Sequence, residues 1–293
     1  MPLDPQRATK PLRKAHKALG HPARSLTPEG VHALRTQCYR IKSILRAFAL
    51  DEERDGAQLL RAIEPVRKRA GKVRDADVLT GLAASLSEGS GSESLIQVME
   101  DLGVRHERFA DKLEKTLYAE RREARRRLKT FMKWMKGELT APNSEAADSW
   151  RRYAVARAID LSSELDEWPA LHAENLHPFR LKVKELRYVL QLSSDSDHRV
   201  IDALGEVKDA IGEWHDWSEL EAVVVKVLED KGRSPLSKQI AAVVRSKLKH
   251  ALTLATRLRR NYFDAAQARH NTRTMRRATI KAPVLEAAAR MAA

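Results

Sequence analysis

The chain has 293 residues, with 54 Lys and Arg against 40 Asp and Glu, a net charge of +14 and a pI near 10.0. That surplus selects polyanions as partners without choosing among nucleic acid, an anionic membrane and polyphosphate. Hydrophobic residues at 43% place the chain in the globular class, and 32% charged with 5% aromatic residues point to long, surface-rich helices.

The first twenty residues, MPLDPQRATKPLRKAHKALG, have no continuous apolar core of the kind a signal peptide carries, and no run of about 18 apolar residues follows anywhere. The single cysteine, Cys38, cannot form an internal disulfide and fits a reducing compartment. The expectation is a soluble cytoplasmic protein with no membrane span.

Sustained period-2 alternation is absent, so the predicted fold is all-α. Breaks fall at 20–30, 50–56, 87–94, 136–149, 168–178, 192–199 and 230–235, each rich in residues that stop or cap helices. In SLTPEG and SGSES, Ser or Thr stands just ahead of Pro or Glu, as an N-cap does.

The helix VHALRTQCYRIKSILRAF (31–48) carries the apolar stripe Val31, Leu34, Cys38, Ile41, Leu45 and Phe48. Beside it His32, Arg35, Tyr39, Lys42 and Arg46 share a wedge of roughly 80°. Like charges one turn apart each cost a few tenths of a kcal/mol in an isolated helix, so the face is either solvated or occupied by an anion. Next comes GKVRDADVL (71–79), where Gly71 is expected to end one helix and Asp75 to cap another; an Asp75–Asp77 pair holding magnesium is the less favoured reading. The following helix sets an apolar stripe of Leu113, Leu117, Ala124, Leu128, Phe131 and Met135 beside Arg122, Arg125, Lys129, Lys133 and Lys136.

The pattern then repeats. LHPFRLKVKELRYVL (176–190) aligns without gaps on VHALRTQCYRIKSIL (31–45), pairing His177 with His32, Arg180 with Arg35, Lys184 with Tyr39 and Arg187 with Lys42. GEWHDWSEL (212–220) aligns on GKVRDADVL, setting Gly212 on Gly71, His215 on Arg74 and Asp216 on Asp75. A second basic helix (237–263) offers Arg245, Lys249, Arg257 and Arg260. Two copies of one helical unit are therefore expected, about 5–137 and about 149–263, joined near 137–149. A tail follows at 264–293, whose segment 271–293 is first basic and then apolar.

His32 and His177 are each the lone histidine of their helix, without ligand-spaced Cys, Asp or Glu, so neither is expected to hold a metal. The sequence contains no GxxxxGK[ST], GxGxxG after a strand, HExxH or GxSxG, and catalysis has no visible seat. Tryptophans at 134, 150, 168, 214 and 217 form no alternating basic and aromatic platform for stacked bases.

The duplicated His-x-x-Arg helix, followed each time by its Gly-containing turn segment, resembles the CHAD family, the conserved histidine α-helical domain, over about residues 5 to 263. The resemblance implies an all-α fold of two four-helix-type bundles related by a pseudo-two-fold. It also implies a basic surface and central cavity binding inorganic polyphosphate, without a cofactor or a catalytic step, and association with polyphosphate granules. The family's basic motif matches His32, Arg35, Arg40 and Lys42, and again His177, Arg180, Lys184 and Arg187. Three departures stand out: Tyr39 where a basic residue is usual, Glu185 inside the second cluster, and His215 for an Arg. Some relatives carry a triphosphatase barrel with an ExExK strand, which nothing here resembles. With Arg46, Arg122, Arg125, Lys129, Lys133, Arg257 and Arg260, these form the expected polyphosphate-binding set. The competing expectations are sequence-independent nucleic-acid binding on the same faces, and a scaffold for an enzyme of phosphate metabolism.

Overall fold

Short polar residues and prolines start most of the helices. Asp4 Oδ1 accepts from the amides of Gln6 and Arg7 at 2.8 and 3.2 Å, Thr27 Oγ1 from Gly30, Ser144 Oγ from Ala147 and Asp197 Oδ1 from Arg199. Each contact satisfies an amide that the first turn leaves without an intrahelical partner. The Thr27 cap is the one expected from SLTPEG; the cap expected from SGSES lies largely outside the described residues.

The computed structural model describes residues 3–21, 26–86, 93–229 and 232–263. Among them are eight α-helices and no strand: α1 (Pro5–Ala18), α2 (Pro28–Ala47), α3 (Arg54–Ser85), α4 (Glu93–Thr140), α5 (Glu145–Asp166), α6 (Ala173–Leu190), α7 (His198–Leu228) and α8 (Pro235–Leu258). A π-helical turn, Arg259–Phe263, closes the described chain. The basic-then-apolar tail lies outside the described residues.

Helices α1 to α4 pack in a ring, each against the next and α4 back onto α1. In the second half α5, α6, α7 and α8 follow the same order, and the π turn closes the ring onto α5. The halves meet where α2 packs on α6 and α3 on α7, with α4 also reaching α7. Two of these contacts, α2 on α6 and α3 on α7, join helices that the sequence alignment pairs.

The stripe of α2 is buried as its spacing predicts, no member being more than 1% exposed, and Leu176, Phe179, Val183, Leu186 and Leu190 of α6 match it. One hydrophobic core runs through both halves, from Leu3 to Phe263. A second cluster joins the far ends of the α3–α4 and α7–α8 pairs, where Ala83, Leu95, Val98 and Leu102 meet Trp217, Leu220, Val224, Leu236 and Ile240. Tryptophans serve packing: Trp150 stacks on Phe48 with ring centroids 5.5 Å apart, and Trp168 meets the edge of Phe179.

One expectation is corrected. Gly71 and Asp75 do not mark a helix boundary, because α3 runs unbroken from Arg54 to Ser85. Asp75 reaches Arg35 of α2, while Asp77 pairs with His106 of α4 at 3.0 Å. The two carboxylates serve different neighbours, and Arg35 passes over the glycine at ordinary contact distance.

Candidate functional site

The central site is assembled from four helices. From α2 come Arg35 and Tyr39, from α3 Arg67 and Arg74, from α6 His177, Arg180 and Lys184, and from α7 Lys208 and His215. Their helices meet because the stripes beside them are buried, so residues one position off each stripe are carried to the seam between the halves.

Tyr39 organises the cations. Its ring lies 3.9 Å from Lys184 Nζ, 4.7 Å from Arg67 Cζ and 5.6 Å from Arg35 Cζ. Across the same helix pair Arg40 lies 5.5 Å from the ring of Tyr188. An aromatic face attracts a cation by roughly 0.5–2 kcal/mol according to its desolvation. The departure from a basic residue at this position therefore places a ring between charges that would otherwise repel.

Arg180 and Arg35 are seated over glycines. Arg180 Nε donates to the carbonyl of Lys208 at 2.9 Å, and its guanidinium lies so close to Gly212 that a Cβ there would stand 2.5 Å from Nη2. Arg35 crosses α3 in the same manner, its Nε 3.7 Å from where a Gly71 Cβ would be, with Nη2 3.5 Å from Asp75 Oδ1. The buried Nε atoms of Arg35 and Arg40 have no hydrogen-bond partner.

Burial holds Lys184 down at about 7, and the positive field of Arg180, Arg35, Lys208 and Arg67 adds to the effect. His32 is lowered by burial and by Arg74, Arg35, Lys208 and Lys184. His177 is lowered by burial, then by His215, whose ring centroid is 4.6 Å away, and by Arg180, with Glu219 acting in the opposite direction. His177 Nδ1 is buried and unpartnered. Arg74 and His215 thus occupy matching places, each beside the histidine of its half.

The face is less bare of carboxylate than α2 and α6 alone indicate. Glu64 accepts two bonds from Arg67 at 2.6 and 2.7 Å, and Lys208 pairs with Asp209. Glu185, by contrast, is engaged by Arg157 of α5 at 2.7 and 3.0 Å and takes no charge from the central set. Beside the centre a cleft of about 800 Å³ between α3 and α4 is lined by Arg35, Tyr39, Arg67, Lys72 and Lys115 among others.

The remaining expected site residues lie elsewhere. Arg187 donates through Nε to the carbonyl of Ile201 at 3.1 Å, bracing α6 on α7. Lys42 lies on the rim with burial and Arg46 lowering its pKa, and Arg46 pairs with Asp51 at 3.5 Å. Arg122, Arg125 and Lys129 line a separate cleft between α1 and α4, with Lys133 exposed one turn on. Arg257 borders a mixed-charge cleft between α7 and α8, and Arg260 is exposed on the π turn. Sequence reading missed Arg67, Lys208 and Tyr188, which belong to the centre by packing alone.

Among the described residues no three or more His, Cys, Asp or Glu side chains gather as a metal site, and no helix is long and apolar enough to cross a membrane. Cys38 is fully buried, which pushes its thiol up to about 12.

No curated protein matches the chain in sequence. Among solved structures, the CHAD domain from the plant Ricinus communis is 18% identical, covering 94% of this chain and 95% of its own with a TM-score of 0.57. PptA from Streptomyces chartreusis is 17% identical, covering 89% and 98% with a TM-score of 0.60. At these identities the likeness is one of fold. The CHAD domain profile matches residues 8–225, well over half of the sequence, from within α1 to within α7. The chain belongs to the CHAD domain family.

Proposed function

We propose that this protein binds inorganic polyphosphate at the seam between its halves, without a chemical step, as a cytoplasmic protein associated with polyphosphate granules. The observation that carries the reading is the crowding of cations at one point: Arg35, Arg67 and Lys184 lie over the Tyr39 ring, and Arg180 and Lys208 add to the positive field that, with burial, brings Lys184 to about 7. Such a cluster is costly when empty, and a polyanion relieves it. Arginine forks onto two phosphate oxygens while lysine supplies a mobile point charge. A chain of tetrahedral anions has no bases to read, so donors from four helices suit it better than a groove-shaped reader would. Cys38, the sequence's one thiol, is buried and protonated and takes no part in this role.

The test is a titration with long-chain polyphosphate at about 150 mM salt, where weak charge attraction is screened, competed with duplex DNA, RNA and orthophosphate. Polyphosphate alone should displace the bound ligand; equal displacement by nucleic acid would replace the proposal with a general polyanion binder. Arg35→Gln with Lys184→Gln should weaken binding at least tenfold. Arg151→Gln with Arg152→Gln on α5 should change it little, since Arg151 is paired with Asp148 and Arg152 bonds Ser149. Equal losses would show that net charge is responsible. Neutralised phosphates release counterions, so affinity should also fall steeply with salt, by analogy with nucleic-acid contacts.

A further inference from the structure

Helix α4 has a second cationic side, facing away from the seam. A cleft of about 540 Å³ between α1 and α4 is lined by His16, Arg121, Arg122, Arg125, Arg126, Lys129 and Met132, with no carboxylate among its walls. Glu123 of α4 is already held by Arg126 at 2.6 and 2.8 Å and by Arg127 at 2.7 Å, and Arg127 also bonds Gln58 of α3. Among the described residues, Arg121, Arg122, Arg125 and Lys129 have no carboxylate in an ion pair with them. Arg125 lies over a glycine as the central arginines do: its guanidinium is 3.4 Å from where a Gly20 Cβ would be, and its buried Nε has no partner among the described residues. None of these residues lines the cleft beside the centre, which meets α4 only at Lys115, Thr116, Ala119 and Glu120. Two cationic clefts therefore flank one helix about 10 Å across.

From this geometry we propose that the α1–α4 cleft is a second, independent binding site for a short run of condensed phosphate, a free oligophosphate or the end of a long chain held at the seam. The inference rests on the polyphosphate reading above. Its volume falls within the range of small-ligand pockets, and arginines from successive turns of α4 can fork onto neighbouring tetrahedral units. His16 on the opposite wall is lowered by burial and by Arg125 and Lys129, and an anion between them would reverse the last two effects.

The test is calorimetric titration of the full chain with tripolyphosphate and with long-chain polyphosphate at about 150 mM salt. Wild type should bind two tripolyphosphates. Arg122→Gln with Lys129→Gln, both at exposed positions, should bind one, and Arg35→Gln with Lys184→Gln should bind one at the remaining cleft. If the outer pair still binds two, or wild type binds one that only the central pair removes, the second site is overturned while the central reading stands. If only the outer pair removes a site, the second site stands and the central one falls; no binding by wild type overturns both. With the long chain, a tenfold or greater loss in the outer pair identifies the bound run as part of a bridging polymer, and no loss identifies it as free oligophosphate.

Discussion

Lys184 carries the pH dependence of the central site. The charged groups around it are Arg35 on α2, Arg67 on α3, Arg180 on its own helix and Lys208 on α7, with the rings of Tyr39 and Tyr188 beside it. Its ordinary value of 10.5 falls to about 7 on folding, so between these limits the unfolded chain binds the proton more tightly than the folded one. This residue's contribution to stability is therefore highest above pH 10.5, declines as pH falls towards 7, and changes little below. A bound polyanion raises the pKa again, so binding takes up a proton and affinity rises as pH falls from about 9 to about 7. Titrations in buffers of different ionisation heat should show this uptake, and Lys184→Met should lose most of it. Unchanged uptake in the variant would place the proton on His32 or His177, whose pKa values are also lowered.

At the scale of the element, a glycine inside a long helix costs about 0.5–1 kcal/mol relative to alanine, and α3 and α7 accept it where an arginine crosses their backbone. The two positions differ in clearance. At Gly71 an added Cβ meets Arg35 at ordinary contact distance, whereas at Gly212 it would overlap Arg180, which is held by the carbonyl of Lys208. Gly71→Ala should stabilise the protein by about 0.5–1 kcal/mol from helix propensity and leave binding intact. Gly212→Ala should show no such gain and should weaken polyphosphate binding several-fold, measured by thermal unfolding and titration of each variant. The apolar stripes of α2, α4 and α6 were legible in the sequence because a helical period of 3.6 writes itself into any buried face. The continuity of α3 through Gly71 was not: propensity reads glycine as a helix end, and only the packing of α3 on its neighbours carries the helix through it. Arg67 and Lys208 escaped for a related reason, since alignment of the two halves pairs equivalent positions and is silent on which different helices converge.

Across the whole molecule, two clusters tie the halves together, the long core at the seam and the smaller one at the far ends of the helix pairs. Leu220, fully buried in the smaller cluster, lies on α7 and belongs with Leu95, Val98 and Leu102 of α4, so it connects one half to the other away from the cationic centre. Leu220→Ala should cost about 2–5 kcal/mol, the usual range for a leucine truncated in a packed core. If the core acts as one unit, that loss is felt everywhere: calorimetry should show one unfolding transition moved to lower temperature, and amide exchange under conditions that expose global opening should accelerate in α2 as much as in α6. Polyphosphate affinity of the folded variant should stay within twofold of wild type, because the cluster includes none of the cations of the centre. Two resolved transitions, or exchange that accelerates only in α7 and α8, would mean that the halves open separately. A ligand held by residues from both halves would then be a stabilising link between them, and the transition of the second half alone would rise with polyphosphate concentration.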